Sequence, residues 1–176
     1  MMIHPISPTY DCDSRILVLG SFPSPASRAQ AYFYGHPQNR FWKIIATVFE
    51  DDCPATVEEK KAFLLKHKVA LWDVIFSCSI EGASDMSISH VKVNNLDCIL
   101  ENAPIEYIFV NGRKAEKLYK RYIQPRTGIE AIYLPSTSPA NAAWSFERLL
   151  EAWKVIKTFL SRSEEHTSEL QSPSWI

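Results

Sequence analysis

The sequence predicts an α/β fold, a three-layer α/β/α sandwich around a central four-stranded parallel sheet. Short apolar runs alternate along the chain with segments of helical periodicity, which is typical of parallel sheets covered by helices. The run at residues 16–19, Ile-Leu-Val-Leu, is apolar at every position, as expected of a strand buried on both faces. With 176 residues, of which 46% are hydrophobic, the chain is long enough to bury one sizeable core.

Strands are predicted where short apolar runs are bounded by turn-forming residues. They cover residues 15–19, 69–76, 105–110 and 129–134. Residues 77–93 are rich in Ser, Gly and Asp and show little periodicity, so we predict a long functional loop there.

Helices are predicted at residues 39–49, 57–67, 95–101, 112–121 and 142–160. Thr56 and Glu59 have the spacing of a capping box for the second of these. We expect Ser138 to cap the last helix, with Pro139 at its first position. The apolar positions of that helix step by three and four: Phe146, Leu149, Trp153, Ile156 and Leu160.

Composition limits the function and the number of domains. We interpret residues 1–161 as a single domain and residues 162–176, which resemble the translation of a sequencing adapter, as a non-native tail. The whole chain has a formal charge of −1, and removing the tail's one Arg and three Glu brings it to +1. Any contact with nucleic acid must therefore come from a local patch.

The cysteines and the apolar segments exclude several classes of site. Cys12, Cys53, Cys78 and Cys98 are far apart in sequence and form no zinc or iron–sulfur motif. No apolar stretch is as long as a membrane span, and the first residues do not form a signal peptide. We expect a monomer in the cytoplasm, associated with the nucleoid, with no metal, no organic cofactor and no membrane partner.

Three loops are predicted to meet at the carboxyl edge of the sheet, at residues 20–39, 77–91 and 135–141, where open α/β sheets bind ligands. Four segments stand at or near that edge. They are Gly-Ser-Phe-Pro-Ser at 20–24, His-Pro-Gln-Asn-Arg-Phe-Trp at 36–42, Leu-Trp-Asp-Val at 71–74 and Ser-Thr-Ser-Pro-Ala at 136–140.

In this order the four segments resemble those of the uracil-DNA glycosylase superfamily. The His-Pro string is close to that of the mismatch-specific uracil/thymine glycosylases, and the full set is closer still to the hypoxanthine (deoxyinosine) DNA glycosylase family. The resemblance covers about residues 16–160. It implies an enzyme that flips a deaminated base out of DNA and hydrolyses its N-glycosidic bond, leaving an abasic site.

The resemblance also implies the catalytic groups. Most superfamily members position the attacking water with an Asp, Asn or Glu in the segment directly after the first parallel strand, here residues 20–24. In this chain Ser21 and Phe22 supply neither a carboxylate nor an amide side chain. In the deoxyinosine family this role passes to the Asn of the His-Pro string, here Asn39, while His36 stabilises the leaving base or orients the loop. The absence of such a carboxylate or amide at residues 21–22, and of a His in the loop at residues 135–141, favours hypoxanthine over uracil as the substrate base. No Lys stands at a motif position to suggest a lyase step.

We expect the base pocket to include the first-loop backbone and one aromatic ring for stacking, for which Tyr34 is preferred over Phe33. Asp85 resembles a residue of the family's base-side loop. The expected base-pocket residues are Gly20, Ser21, Phe22, Pro23, Ser24, Tyr34 and Asp85.

The expected DNA contacts are the hydroxyls and helix-start amides of the late segment, together with basic residues after the third strand. Either Ala140 or Asn141 would fill the gap left by the flipped base. The full set is Ser136, Thr137, Ser138, Pro139, Ala140, Asn141, Arg113 and Lys114.

Each of these residues also has a purely structural interpretation. Asn39 can brace a helix start, Tyr34 can pack under its loop, and Asp85 can close an Asx turn. Asp73, in an apolar strand, is interpreted as a loop-bracing acceptor rather than a general base.

Three other functions remain open at this stage. The first is a glycosylase for uracil or mismatched bases. The second is a catalytically silent nucleic-acid-binding module on the same fold. The third, a small-molecule nucleotide enzyme, is weakened by the absence of a Gly-x-Gly-x-x-Gly or phosphate-loop pattern.

Overall fold

The protein is built around two sheets. The computed structural model describes residues 2–79 and 89–171. The strands are β1 (Met2–Ile3), β2 (Ile16–Gly20), β3 (Val69–Asp73), β4 (Ile75–Ser79), β5 (Ser89–Val93), β6 (Tyr107–Asn111) and β7 (Ala131–Leu134). A parallel four-stranded sheet has the order β3-β2-β6-β7, and a small antiparallel sheet has the order β1-β4-β5.

Helices cover both faces of the parallel sheet. They are α1 (Pro25–Gln30), α2 (Phe41–Val48), α3 (Val57–Lys66), α4 (Asp97–Leu100), α5 (Arg113–Leu118), α6 (Gln124–Thr127), α7 (Phe146–Trp153) and α8 (Val155–Gln171). A π-helical turn, Tyr119–Ile123, joins α5 to α6, and a 3₁₀ turn, Pro139–Asn141, follows β7. The predicted capping box of α3, between Thr56 and Glu59, is present.

Strand β2 shows why the fold has three layers. Ile16 and Val18 face one core, which residues of α2, α3, α7 and α8 complete. Leu17 and Leu19 face a second core, completed from α4, α5 and the π-helical turn. Because successive side chains of a strand point to opposite faces, the apolar run at 16–19 serves both cores. The predicted sandwich with a four-stranded parallel sheet is confirmed.

The predicted strand at 69–76 is wrong in one respect, because it is two strands in two different sheets. The amide of Val74 donates to the carbonyl of Gly20 and that of Ile75 to the carbonyl of Ser21, so the chain turns across the end of β2. Val74 and Ile75 are fully buried, and the apolar pattern therefore continues through the turn. Residues 77–93, predicted to be a loop, contain the end of β4 and all of β5.

The predicted helix at 142–160 begins too early. Helix α7 starts at Phe146, where the Ser145 side chain accepts from the amide of Arg148. Ser138 caps only the 3₁₀ turn, by accepting from the amide of Ala140. Helix α8 continues through the first ten residues of the segment interpreted as a tail. Within the described residues, no helix is both long and apolar enough to cross a membrane.

Candidate active site

The carboxyl ends of the parallel strands bring polar groups together. Gly20 at the end of β2 lies opposite Asp73 at the end of β3, and Asn111 at the end of β6 lies opposite Leu134. The segments that follow β2 and β7, which carry most of the predicted site residues, therefore leave the sheet at the same edge.

Tyr34 lies where these strand ends meet. Its ring stacks on Phe41 at the start of α2, with centroids 4.2 Å apart and planes at 26°. A Cβ added at Gly20 would lie 2.8 Å from the Tyr34 hydroxyl and 2.5 Å from Oδ1 of Asp73. The backbone of Tyr34 is in the left-handed region, with φ of 55°. Holding an aromatic residue there costs conformational energy, which the surrounding packing must offset.

The Tyr34 hydroxyl is buried and makes no hydrogen bond of standard geometry within the described chain. Burial raises the pKa of this phenol far above its ordinary value, and the charge of Asp73 acts in the same direction. The Asn111 amide is near enough to lower that pKa slightly. The phenol therefore keeps its proton and remains a potential donor at every ordinary pH.

Asn39 and His36 brace the turn into α2. Oδ1 of Asn39 accepts from the amide of Phe41 at 2.9 Å, and the amide of Asn39 donates to the carbonyl of His36 at 2.9 Å. His36 Nδ1 accepts from the amide of Gln38 at 3.0 Å. The bracing predicted for Asn39 is therefore present. Its side chain is half-buried, and its amide nitrogen donates to no other described residue.

The first loop, residues 20–24, leads directly into α1. Ser24 caps this helix by accepting from the amide of Ser27, and Oγ of Ser27 accepts from the amide of Gly35. The carbonyls of the first two loop residues are bonded to the turn after β3, whereas the amides of Phe22 and Ser24 donate to no other described residue. The loop can thus offer two backbone donors.

Phe22 and Pro23 are buried, and the Phe22 ring belongs to a small core with Ile75 and Cys78. It packs edge-on against the ring of His4, with centroids 5.6 Å apart. The side chain of Phe22 is thus part of the packing beneath the loop.

Several backbone amides of the late loop, residues 135–145, are hydrogen-bonded within the protein. The amides of Thr137, Ser138, Ala140 and Asn141 donate to Asn111 Oδ1, Ser136 Oγ, Ser138 Oγ and the Ser138 carbonyl, respectively. Because these four amides are engaged, they are not free to donate to a phosphate in this geometry. Ser136 and Ser138 are half-buried and Ala140 is exposed, whereas Thr137, expected to contact DNA, is fully buried and its hydroxyl accepts from Nδ2 of Asn111.

Arg40 fastens the late loop to the start of α2. Its guanidinium donates to the carbonyls of Trp144 and Asn141, the latter at 3.1 Å, and its backbone amide donates to the carbonyl of Thr137 at 3.1 Å. Sequence reasoning missed this role, although Arg40 lies inside the recognised His-Pro string. Its partners are about a hundred residues away, so spacing could not reveal them.

Asn111 is a second residue that the sequence analysis missed. Its Nδ2 donates to Oγ1 of Thr137 at 3.0 Å, and its Oδ1 accepts from the backbone amide of Thr137 at 3.1 Å. Both residues are buried. Its place at the end of an apolar strand, just before Gly112, was the available signal. Gly112 has φ of +96°, and a Cβ there would lie 3.2 Å from Cβ of Ser136.

The two basic residues expected to contact DNA begin α5, beside the late loop. Arg113 is exposed, stacks over Tyr133 at 3.7 Å and pairs with Glu116 at 2.9 Å. Lys114 is half-buried.

Asp73 pairs with a residue from the start of the chain. Its Oδ2 lies 2.8 Å from Nε2 of His4, and both side chains are at most 5% exposed. The predicted role as a bracing acceptor is present, but its partner was not foreseen because the residues before β2 carry no pattern. Asp85 lies outside the described residues. Within those residues no group of three or more His, Cys, Asp or Glu is arranged to hold a metal ion.

Comparisons with known proteins agree with this architecture. The family model described as "Uracil DNA glycosylase superfamily" matches residues 7–157. Two curated relatives are named "Hypoxanthine DNA glycosylase". The one from Methanosarcina acetivorans is 35% identical over 148 residues, covering 83% of this chain and 92% of the relative. The one from Methanosarcina barkeri is 31% identical over 136 residues, covering 76% and 85%.

A solved structure is also similar. It is the solution NMR structure of a Methanosarcina acetivorans protein provisionally described as a uracil DNA glycosylase. It superposes with a TM-score of 0.77 at 32% identity, covering 91% of this chain and 99% of that one.

Proposed function

Because this chain belongs to the uracil DNA glycosylase superfamily, we propose that it is a DNA glycosylase that excises hypoxanthine from deoxyinosine and leaves an abasic site. The observation that carries the choice of catalyst is the position of Asn39. It is a rigidly held, half-buried amide at the start of α2, whereas the first loop contains no carboxylate or amide side chain.

Hydrolysis of the N-glycosidic bond needs a positioned water and stabilisation of the departing base. The bond between base N9 and C1′ breaks with its electron pair on the base, and positive charge develops on the sugar. Water adds through its oxygen to C1′ and gives up a proton, while the base anion takes up a proton. No covalent bond to the protein and no cofactor enters this sequence.

Asn39 is proposed to orient the water. A carbonyl oxygen has two lone pairs, and the amide of Phe41 uses one lone pair of Asn39 Oδ1. The second lone pair and the amide nitrogen remain for the water. The bracing bond thus fixes the catalyst, which fits the need for a near-attack geometry. His36 is proposed to support this turn and to stabilise the base anion.

The first loop is proposed to stabilise that anion. The amides of Phe22 and Ser24, with no acceptor among the described residues, are suited to a developing negative charge on the base. Tyr34, stacked on Phe41 and half-buried, can extend the stack to a flipped base. Gly20, Ser21 and Pro23 shape this loop.

The late loop is proposed to hold the DNA backbone. Its amides at residues 137, 138, 140 and 141 are engaged internally, so the half-buried hydroxyls of Ser136 and Ser138 are the better candidates. Thr137 is fully buried and supports the loop through its bonds with Asn111. Ala140, the exposed residue of the 3₁₀ turn, fits the role of wedge better than Asn141, whose amide nitrogen is tied to the Ser136 carbonyl at 3.0 Å.

Pro139 sets the turn that carries the wedge, and Arg113 and Lys114 would add sequence-independent contacts to phosphates. We propose that the protein acts as a monomer, on double- or single-stranded DNA that contains a deaminated base.

The test is base release from otherwise identical oligonucleotides that carry deoxyinosine, deoxyuridine or no lesion. The wild type should release hypoxanthine, detected as alkali-induced strand scission. Asn39→Ala should lower the rate by at least about 100-fold. Because alanine also removes a helix brace worth about 1 kcal/mol, Asn39→Ser, which keeps a capping oxygen but lacks the amide, should be stable and equally impaired.

Asn102→Ala is the matched control, because its exposed side chain only donates to the Cys98 carbonyl. It should retain the wild-type rate. A preference for deoxyuridine would keep the enzyme class and change the substrate. Release of no base, with DNA binding intact, would leave a silent binding module as the better description.

A further inference from the structure

Arg28 is a half-buried cation beside the first loop that the proposed mechanism does not use. It belongs to α1, the helix that begins directly after that loop, and its Nη1 donates to the carbonyl of Pro23 at 3.2 Å. The guanidinium carbon lies 5.9 Å from the centre of the Phe22 ring. The charge therefore lies against the same loop whose amides are proposed to stabilise the departing base.

This charge has no acidic partner in the described part of the chain. The ion pairs of residues 2–79 and 89–171 all involve other basic side chains. A guanidinium has five N–H donors, and the Pro23 carbonyl accepts from only one of its nitrogens. Because a cation removed from water is costly unless an anion compensates it, this site would stabilise an anionic ligand.

The guanidinium also lies near the small antiparallel sheet. Burial raises the pKa of the Cys78 thiol in β4, and the charge of Arg28 acts against that shift. Phe22, which is 8% exposed, and Cys78 belong to the same small core. Arg28 thus lies where the first loop meets β4, with part of its side chain open to solvent.

Helix α1 holds Arg28 in a fixed place. Oγ of Ser24 accepts from the amide of Ser27, and the Ser24 carbonyl accepts from the amide of Arg28 at 2.9 Å. Oγ of Ser27 in turn accepts from the amide of Gly35 at 2.8 Å, in the segment that leads to the His-Pro string. The arginine is therefore positioned relative to both proposed parts of the active site, and binding a ligand requires little further ordering.

The chemistry of a guanidinium selects the class of ligand. Its planar fork matches two oxygens of a carboxylate or a phosphate, and its charge is permanent. The base is neutral until its bond to the sugar breaks, whereas the phosphates that flank each nucleotide of DNA are always anionic. Those phosphates stay partly in water at the rim of a base pocket, as the half-buried Arg28 does. A DNA phosphate is therefore the ligand that fits.

We propose that Arg28 binds a phosphate next to the deaminated nucleotide and so holds the flipped nucleotide against the first loop. This inference rests on the proposed function and adds a substrate-binding residue that the expected DNA contacts do not include. The contact forms at the lesion itself. It therefore differs from the contacts proposed for Arg113 and Lys114, which hold DNA whether or not a base is flipped.

The first experiment neutralises one phosphate at a time. Duplexes with a single deoxyinosine carry one methylphosphonate, placed in turn at the two linkages on each side of the lesion, and base release is measured with the wild type and with Arg28→Gln. At one linkage adjoining deoxyinosine, the neutral group should lower kcat/KM of the wild type about 10- to 100-fold, as expected for a hydrogen bond between charged groups. The same linkage should change kcat/KM of Arg28→Gln by less than about 2-fold.

The coupling between the two changes is the decisive quantity, because a residue that only braces the loop cannot sense which linkage is neutral. Equal losses in the wild type and in Arg28→Gln at all four linkages would overturn the proposal. Wild-type rates that no neutral linkage lowers would also overturn it, and that result does not depend on whether the variant folds.

Arg28→Lys separates the charge from the brace. Lysine keeps a point charge for a phosphate but lacks the planar fork. This variant should recover at least about 3-fold of the kcat/KM lost in Arg28→Gln and should regain sensitivity to the same neutral linkage. Equal values for the two variants, with a lower melting temperature in both, would reduce Arg28 to a brace for the Pro23 carbonyl and overturn the proposal.

Arg15→Gln is the matched control. Arg15 also donates Nη1 to a backbone carbonyl, that of Asp13 at 3.0 Å, but it lies directly before β2, at the opposite edge of the sheet from the candidate site. The variant should keep the wild-type kcat/KM and the full loss at the sensitive linkage. A change equal to that of Arg28→Gln would make the effect a general result of removing a positive charge, against the proposal.

A binding measurement separates this proposal from the glycosylase. Affinity for an uncleavable duplex that contains 2′-fluoro-deoxyinosine, scanned over the same four linkages, needs no base release. The wild type should bind at least about 10-fold more weakly at one neutral linkage, and Arg28→Gln should not. Coupling in binding without any release of hypoxanthine would reject the proposed glycosylase and keep the phosphate contact. Release without coupling would reject only the contact.

Discussion

The first loop and the late loop leave the same edge of the sheet but differ in whether their backbone amides are hydrogen-bonded within the protein. In the late loop, the four amides between Thr137 and Asn141 all have acceptors within the protein. In the first loop, the amides of Phe22 and Ser24 have none among the described residues. The late loop therefore has its amides at 137–141 engaged within the protein, whereas the first loop has two backbone N–H groups that a ligand could accept from.

The largest expected effect is at the start of the first loop. Gly20→Ala would place a Cβ 2.5 Å from Asp73 Oδ1 and 2.8 Å from the Tyr34 hydroxyl, so both groups must move. We expect a stability loss of about 2–3 kcal/mol and at least a 100-fold slower base release, because small displacements at a reacting site are costly. Urea denaturation and single-turnover kinetics measure the two effects.

Gly128→Ala is the control for this change. Nothing lies within 4 Å of the added Cβ, although φ there is +69°. It should cost about 1 kcal/mol of backbone strain and leave the rate unchanged. Equal kinetic effects of the two variants would remove the distinction drawn here.

The next effect concerns the connection between the loops. Arg40→Ala removes the donors to the carbonyls of Asn141 and Trp144. We expect about 2–3 kcal/mol lower stability, and a rise in KM larger than the fall in kcat because the late loop is proposed to hold DNA. Arg121→Ala, at an exposed arginine over Tyr122, should change neither. A loss confined to kcat would contradict this division of roles.

Alkaline pH should destabilise the packing around Tyr32, which follows α1. Burial raises the pKa of Tyr32, which bonds Thr9 at 2.7 Å, from 10.0 to about 12. Between these values the folded protein holds the proton more tightly than the unfolded chain, so stability is present below pH 10 and lost as pH rises towards 12. The loss should reach about 2–3 kcal/mol.

Tyr32→Phe should flatten this part of the stability curve, measured by urea denaturation between pH 9 and 12. The late loop contains no tyrosine. The same decline in Tyr32→Phe as in the wild type would assign the alkaline effect to other groups.

The smallest effect is expected inside the late loop. Thr137→Val removes the hydroxyl that accepts from Nδ2 of Asn111 and leaves that buried donor unpaired. Stability should fall by about 1–2 kcal/mol, as measured by thermal unfolding, with base release reduced less than in Gly20→Ala. Thr47→Val, whose exposed hydroxyl donates to the Lys43 carbonyl, is the matched control and should cost less than half as much.

Much of this fold could be predicted because its signals are local. The alternation of strands and helices, the Thr56–Glu59 capping box and the full burial of β2 depend on neighbouring residues. The break at Val74 could not be seen, because the turn is as buried and apolar as the strands it separates. The start of α7 was misplaced because Ser138 and Ser145 are both plausible caps, and only packing selects the second.

The candidate site likewise contains some residues that a local sequence motif reveals and others that only long-range contacts reveal. Asn39 and Tyr34 stand in or next to a recognisable string, and the Tyr34 hydroxyl lies beside Gly20 at the carboxyl end of β2. His4, Arg40 and Asn111 act through partners at least 26 residues away in sequence. Such long-range hydrogen bonds leave no periodic trace, so they could be found only once the fold was known.

The order of the parallel sheet has a consequence for how the protein folds. Leu19 in the central strand pairs with Trp72 on one side and Val110 on the other, so the edge that carries the site closes only after two long stretches of chain have been ordered. Loop-closure entropy makes such pairings slow relative to helix formation. We therefore expect that a nascent chain is inert until β6 has joined the sheet, and that catalytic competence arises in the same cooperative step as the fold itself.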